Sequence, residues 1–205
     1  MTMRSFIRLF VRDQRGGPLA EFALVIGLLF VFAIFVFEIS RFFMQAAMAE
    51  YATHLAVRIA AVRPAVCAGV PDTNERATGS EGARFGTMCS GSPSPCVAVT
   101  QTCTGVAGNP VVDEIFGVVQ ALLPSGATPA NLQFRYEATN LGFLGGPYVP
   151  LASVSLQDLE HEFIVPLGQL FAPWGDGNGG GDGTVALGPM TATMPGEDLN
   201  TGTGG

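Results

Sequence analysis

Residues 22–37 read FALVIGLLFVFAIFVF, sixteen positions without a charge or a hydrogen-bonding side chain, bracketed by Glu21 and Glu38. A bilayer core is crossed by roughly 20 apolar residues of helix, and Pro18 to Phe37 supplies that length when Glu21 sits near the headgroups. The segment therefore reads as a membrane helix. Arg4, Arg8, Arg12 and Arg15 precede it with only Asp13 opposing them, whereas Arg41 stands alone just beyond it. Positive charge is retained on the cytoplasmic side, so the expected orientation is N-terminus inside and the remainder extracytoplasmic.

The rest of the 205 residues is enough for one modest domain. Ten basic against seventeen acidic side chains, with no lysine, argue against a nucleic-acid surface and favour protein partners. Cys67, Cys89, Cys96 and Cys103 all fall on the outer side, an even number in an oxidising compartment, and predict two disulfides. No pair has C-x-x-C spacing and the only histidines, His54 and His161, are far apart, so a zinc site is not expected. Sequence does not choose among the three possible pairings; chain order gives a preference for Cys67 with Cys89 and Cys96 with Cys103.

No proline lies between Val25 and Val62, and the predicted membrane helix continues through an Ala- and Met-rich stretch to Arg63-Pro64, with Gly27 as its weak point. Met44, Met48, Tyr51, Leu55, Ile59 and Val62 form an apolar stripe expected to hold the domain. Ala49, Thr53, Ala56 and Ala60 lie opposite; small side chains at that spacing admit a second helix, so this face is the expected partner interface, the alternative being plain helix propensity in a solvated segment. Glu50, His54 and Arg58 read as a charged edge, and Glu38 with Arg41 as an anchor pair at the outer interface, both side chains reaching water.

Beyond the helix, residues 65–95 read as a stapled irregular loop and Val97 to Cys103 as a strand. Asn109-Pro110 with Asp113 and Glu114 opens a helix that buries Val112, Ile115, Phe116, Val119, Leu122 and Leu123 and stops at Pro124. Alternation over Leu132 to Ala138 and Leu159 to Val165 predicts half-buried strands, and a last strand is expected through Val185 to Met194. The expected fold class is α+β, a long N-terminal helix carrying a small antiparallel sheet and one further helix. Its segments are a basic leader 1–16, a continuous helix 17–63, a disulfide-bonded domain 64–195 and a loose tail 196–205.

Residues 176–182, DGNGGGD, carry oxygen ligands in part of a calcium-loop pattern, but Leu187 stands where a bidentate glutamate would complete it, so a flexible connection is preferred. In Glu160-His161-Glu162 an alternating strand sends both carboxylates one way and the imidazole the other, a solvated edge beside a core histidine. No hydrolase, zincin or phosphate-loop motif occurs. Neither an enzyme, a cofactor, a metal nor a small-molecule substrate is expected.

Glu21 is the costly residue, a carboxylate at the lipid edge that would ordinarily snorkel or pair with Arg15. Its setting, Asp13-Gln14-Arg15-Gly16-Gly17-Pro18-Leu19-Ala20-Glu21-Phe22-Ala23-Leu24, resembles a type IV prepilin cleavage site. Together with Glu38-Ile39-Ser40-Arg41 and Ala52 to Arg58 it is similar to the TadE-like minor pilins or pseudopilins of tight-adherence (Tad, or Flp) pilus systems, over about the first third of the chain. Gly27 stands where a proline of that family is expected. The resemblance implies cleavage between Gly16 and Gly17 by a prepilin peptidase, which takes the net charge from −7 to −10. It further implies other pilins and inner-membrane assembly proteins as partners. A new ammonium at Gly17 would lie one helical turn from Glu21, within reach of an ion pair. The competing readings are a tethered binding or adhesin module that keeps its leader, and a secreted domain released after Ala47-Met48-Ala49.

Overall fold

The computed structural model describes residues 17–164, 184–197 and 199. Helix α1 spans Gly17–Ala60, 44 residues. Gly27 does not interrupt it, and nothing lies within 4 Å of where its side chain would be. The last turn tightens, with Val62 N donating to Ile59 O, before Pro64 removes the next donor. Along residues 19–37 most large side chains are exposed, among them Leu24, Leu28, Phe30 and Phe32, with Ile26 and Phe35 half-buried. Such a helix has the length and composition to cross a bilayer once.

Residues 1–42 and 43–205 are two separate compact units. In the second, four antiparallel strands run in the order β1-β2-β3-β6: β1 Thr100–Thr104, β2 Leu132–Ala138, β3 Pro150–Leu156 and β6 Met190–Pro195. Two more, β4 Leu159–Glu162 and β5 Thr184–Leu187, pair separately. The single expected last strand is thus two strands in different sheets, broken at Gly188-Pro189 where proline removes a ladder donor. Helix α2, Pro110–Val119, starts as expected: Asn109 Oδ1 accepts from Val111 N at 3.0 Å, and the Asp113 carboxylate accepts from Gly108 N at 3.1 Å. The protein is α+β.

The two faces of the sheet differ. Register places Leu132 opposite Leu156, Phe134 opposite Val154 and Tyr136 opposite Ala152, all buried on one side. The other side is short and polar, with Ser153 Oγ 2.9 Å from Thr193 Oγ1 and Ser155 Oγ 2.9 Å from Thr191 Oγ1. The core lies between the apolar face, α2 through Val112, Ile115 and Val119, and the second half of α1. Burial of side chains such as Phe134 and Leu132 contributes about 1.5–3 kcal/mol each.

Helix α1 meets this core with its small side chains. Ala49, Ala52, Thr53, Ala56, Val57, Ala60 and Ala61 are all buried, whereas Met44, Met48, Tyr51 and Val62 are exposed and Leu55 and Ile59 half-buried. The two stripes lie opposite one another as expected, but their roles are exchanged: the chain's own domain occupies the small face. The sheet already fills the layer with Leu132, Phe134, Tyr136 and Leu156, and a helix closing over large side chains at interior density must contribute little volume.

The disulfides also differ from the preferred pairing. Cys67 joins Cys103 and Cys89 joins Cys96, with Cα atoms 5.5 and 5.3 Å apart. Cys67 follows α1 directly and its Sγ lies 3.6 Å from Phe134 O. Cys103 is the β1 residue opposite Phe134, so strand pairing brings it to Cys67 while chain order does not.

Candidate functional site

The processing and pairing residues predicted at the N-terminus divide at the edge of the described region. Gly16 and the leader arginines lie outside it. Gly17 is the first residue of α1 and Glu21 stands exposed one turn later, an i, i+4 relation that brings the Gly17 backbone nitrogen and the Glu21 carboxylate to the same side.

At the other end of the apolar run, Arg41 Nη1 lies 3.4 Å from Glu38 Oε2. The pair exists, but only its arginine reaches water: Glu38 is 2% exposed, against the expectation for both side chains. Glu50, His54 and Arg58 form the exposed edge anticipated from their spacing.

Two anchors fix the exit of α1 to the domain. Arg63 makes a two-pronged ion pair with Glu114 of α2, Nη2 to Oε1 at 2.9 Å and Nε to Oε2 at 3.0 Å. The guanidinium hydrogen bond holds the Glu114 carboxyl below its usual range. The stabilisation is therefore present above the ordinary carboxylate range and lost as pH falls through the folded value. The second anchor is Tyr136, whose Oη accepts from Val66 N at 3.2 Å.

Burial raises the Tyr136 phenol, and Tyr148 likewise, above the ordinary tyrosine value, because the phenolate would lose water. A raised folded value contributes stability below about pH 10 that is lost as pH rises through it. A spectrophotometric titration should accordingly show fewer than all three tyrosines ionising while the fold persists, the remainder appearing with alkaline unfolding. Tyr136→Phe should cost about 1 kcal/mol in the melt by leaving Val66 N without its acceptor.

His161 and its flanking glutamates are disposed as expected, imidazole buried and both carboxylates out. The imidazole Nδ1 hydrogen-bonds Gln45 Oε1 of α1, and the ring packs edge-on to Phe163 at 4.9 Å. The histidine thus ties β4 to α1. A shallow cleft near it is lined by Pro124, Gly126, Ala127, Asp158, Leu159 and Glu160, with two carboxylates among small apolar groups. Residues 176–182 lie outside the described region. So does most of the tail, although Glu197 N donates to Ala61 O and Leu199 is buried, so its beginning is tied down rather than loose.

One feature had no signal in the sequence pattern. Residues 72–96 and the 139–149 connection between β2 and β3 fold together as a knob. Asn74 Nδ2 donates to Pro147 O at 3.0 Å and Phe143 O at 3.3 Å, while Leu144 N reaches Thr87 O and Gly86 N reaches Leu144 O. Inside lie Leu144 and the Cys89–Cys96 disulfide, with Ala83 against them. Outside stand Phe85 (78% exposed), Met88, Leu141 and Phe143. Gly145 has φ +82°, which favours glycine, and added Cβ atoms at Gly145 and Gly146 would come within 2.5 Å of the Phe85 ring and 2.7 Å of the Phe143 ring, so those exposed rings would have to swing aside. Arg76 lies over Phe85, its Cζ 5.4 Å from the ring centroid.

Comparison with protein-family models, curated proteins and solved structures finds no match for this chain.

Proposed function

We propose that this protein is a TadE-like minor pilin or pseudopilin of a tight-adherence pilus. On this reading it is anchored in the bacterial cytoplasmic membrane by the first half of α1, with its disulfide-bonded domain outside and its leader removed after Gly16. The observation that carries the reading is the helix itself: Gly17 opens it, Glu21 follows one turn later, and the rod then runs unbroken through a bilayer-length apolar stretch into the domain. Cleavage produces an ammonium at Gly17. At the lipid edge that ammonium and the Glu21 carboxylate offset one another's desolvation, within one helix or between neighbouring helices. Other pilins, the prepilin peptidase and inner-membrane assembly proteins are its partners.

N-terminal sequencing of the membrane-extracted protein should begin at Gly17. Glu21→Gln should be cleaved like the parent yet be lost from sheared pili by about tenfold or more, the cost of an unpaired ammonium at the lipid boundary. Normal recovery of a cleaved Glu21→Gln protein, or a retained leader, would overturn the reading. A tethered binding module is the second reading, favoured by the exposed apolar knob, and it requires the sequence to begin at Met1.

A further inference from the structure

The knob is built for rigidity and finished with hydrocarbon. Its disulfide, its own small core and the three carbonyls gathered by Asn74 spend bonding on a loop that holds no part of the main sheet. What it displays is Phe85, Met88, Leu141 and Phe143, with Met88 and Phe143 directly paired. Soluble surfaces rarely gather large apolar side chains in this way unless something covers them.

The same chain carries a second surface of matching character. Met44, Met48, Tyr51 and Val62 run along the side of α1 that faces away from the sheet, and Arg58 borders them on the edge that it shares with Glu50 and His54. The knob's acidic side chains, Asp72, Glu75 and Glu81, outnumber Arg76 and Arg84. Glu81, four residues before Phe85 in the chain, accepts from Gly79 N through Oε1 at 3.1 Å. The two surfaces do not overlap. The knob extends from the end of the sheet where Ala138 pairs with Pro150, and Ala61 at the close of α1 is bonded at that same end; the stripe runs back along α1 towards Gln45 and His161.

We infer that the knob of one copy docks on the α1 stripe of a second copy, Phe85 and Phe143 lying against Met48 and Tyr51, and Glu81 meeting Arg58. Two different patches joined in this way form a head-to-tail contact, which leaves a free knob and a free stripe at the ends and extends into a line wherever the rotation between copies does not close a ring. Because the knob lies at the end of the sheet to which the close of α1 is bonded, and the stripe runs back from there, successive copies are staggered along the helix direction. The contact is independent of leader cleavage.

The test uses the full chain in detergent micelles with a photoreactive benzoylphenylalanine in place of Tyr51, mixed with a heavy-isotope copy. Adducts should join position 51 of one copy to peptides bearing Phe85 or Phe143 of the other. Phe85→Ser with Phe143→Ser in the partner should lower their yield by about tenfold, as for removal of buried aromatic anchors. Arg58→Glu should lower it by about threefold and Glu81→Arg in the partner restore it, since reversing one rim charge and then its mate recovers complementarity. Adducts that map only to α1 of the other copy or only to detergent, that are absent, or that ignore all these substitutions overturn the proposal.

Discussion

Replacing Cys67 and Cys103 together with alanine should lower the stability of the domain by about 4 kcal/mol, whereas the same change at Cys89 and Cys96 should cost about 2 kcal/mol. The difference is entropic. The Cys67–Cys103 bridge closes a sequence separation of 36 residues and the Cys89–Cys96 bridge one of 7, and the longer loop removes more freedom from the unfolded chain. The outer bridge also ties the exit of α1 to β1, so its loss frees the chain between helix and sheet as one segment. Thermal melting in detergent should show the outer pair lost at a cost of roughly 10 °C and the inner pair at about half that. Equal losses, or non-reducing peptide maps joining Cys67 to Cys89, would contradict the nested pairing.

Ala56→Leu should cost about 2–3 kcal/mol, and Met48→Ala less than about 0.5 kcal/mol. Ala56 has no exposed surface, and three added carbons can be accommodated only if α1 moves off the sheet or its neighbours leave their rotamers. Met48 stands at 42% exposure on the opposite side, where truncation leaves no cavity in the core. Unfolding of the two variants followed by circular dichroism decides the matter. If Met48→Ala proves the more damaging, the larger stripe holds the domain after all.

Much of the architecture could be read from the residues. The charge-free run from Phe22 to Phe37, the Asn109-Pro110 helix start and the alternation of Leu132, Phe134 and Tyr136 each report a local rule, and each element formed where that rule put it. Local rules do not say which of two opposite helix faces is covered. Met44, Met48 and Tyr51 have more hydrocarbon to bury than Ala49 and Ala56, yet the volume left by Phe134 and Tyr136 decides the packing, and that volume is a property of the sheet. The disulfides failed for a related reason: Cys103 reaches Cys67 through the register of β1 on β2. Half of the knob was legible, residues 65–95 reading as a stapled loop, but its union with residues 139–149 was not, since Phe85 and Phe143 sit in Gly- and Pro-rich stretches with no period and tertiary bonds such as those of Asn74 draw them together. For Gly17 and Glu21 the helix gives the spacing, and the chemistry of the cut end rests on the resemblance.

The hydroxyl-covered side of the sheet is a poor surface for apolar contact. Ser153 with Thr193 and Ser155 with Thr191 satisfy each other across neighbouring strands, and Arg135 is paired with Glu137, so this side is mostly polar, with Leu151 and Pro195 as its apolar members. A face of this kind gives a partner little hydrocarbon to bury, so any apolar contact falls to the other surfaces of the domain.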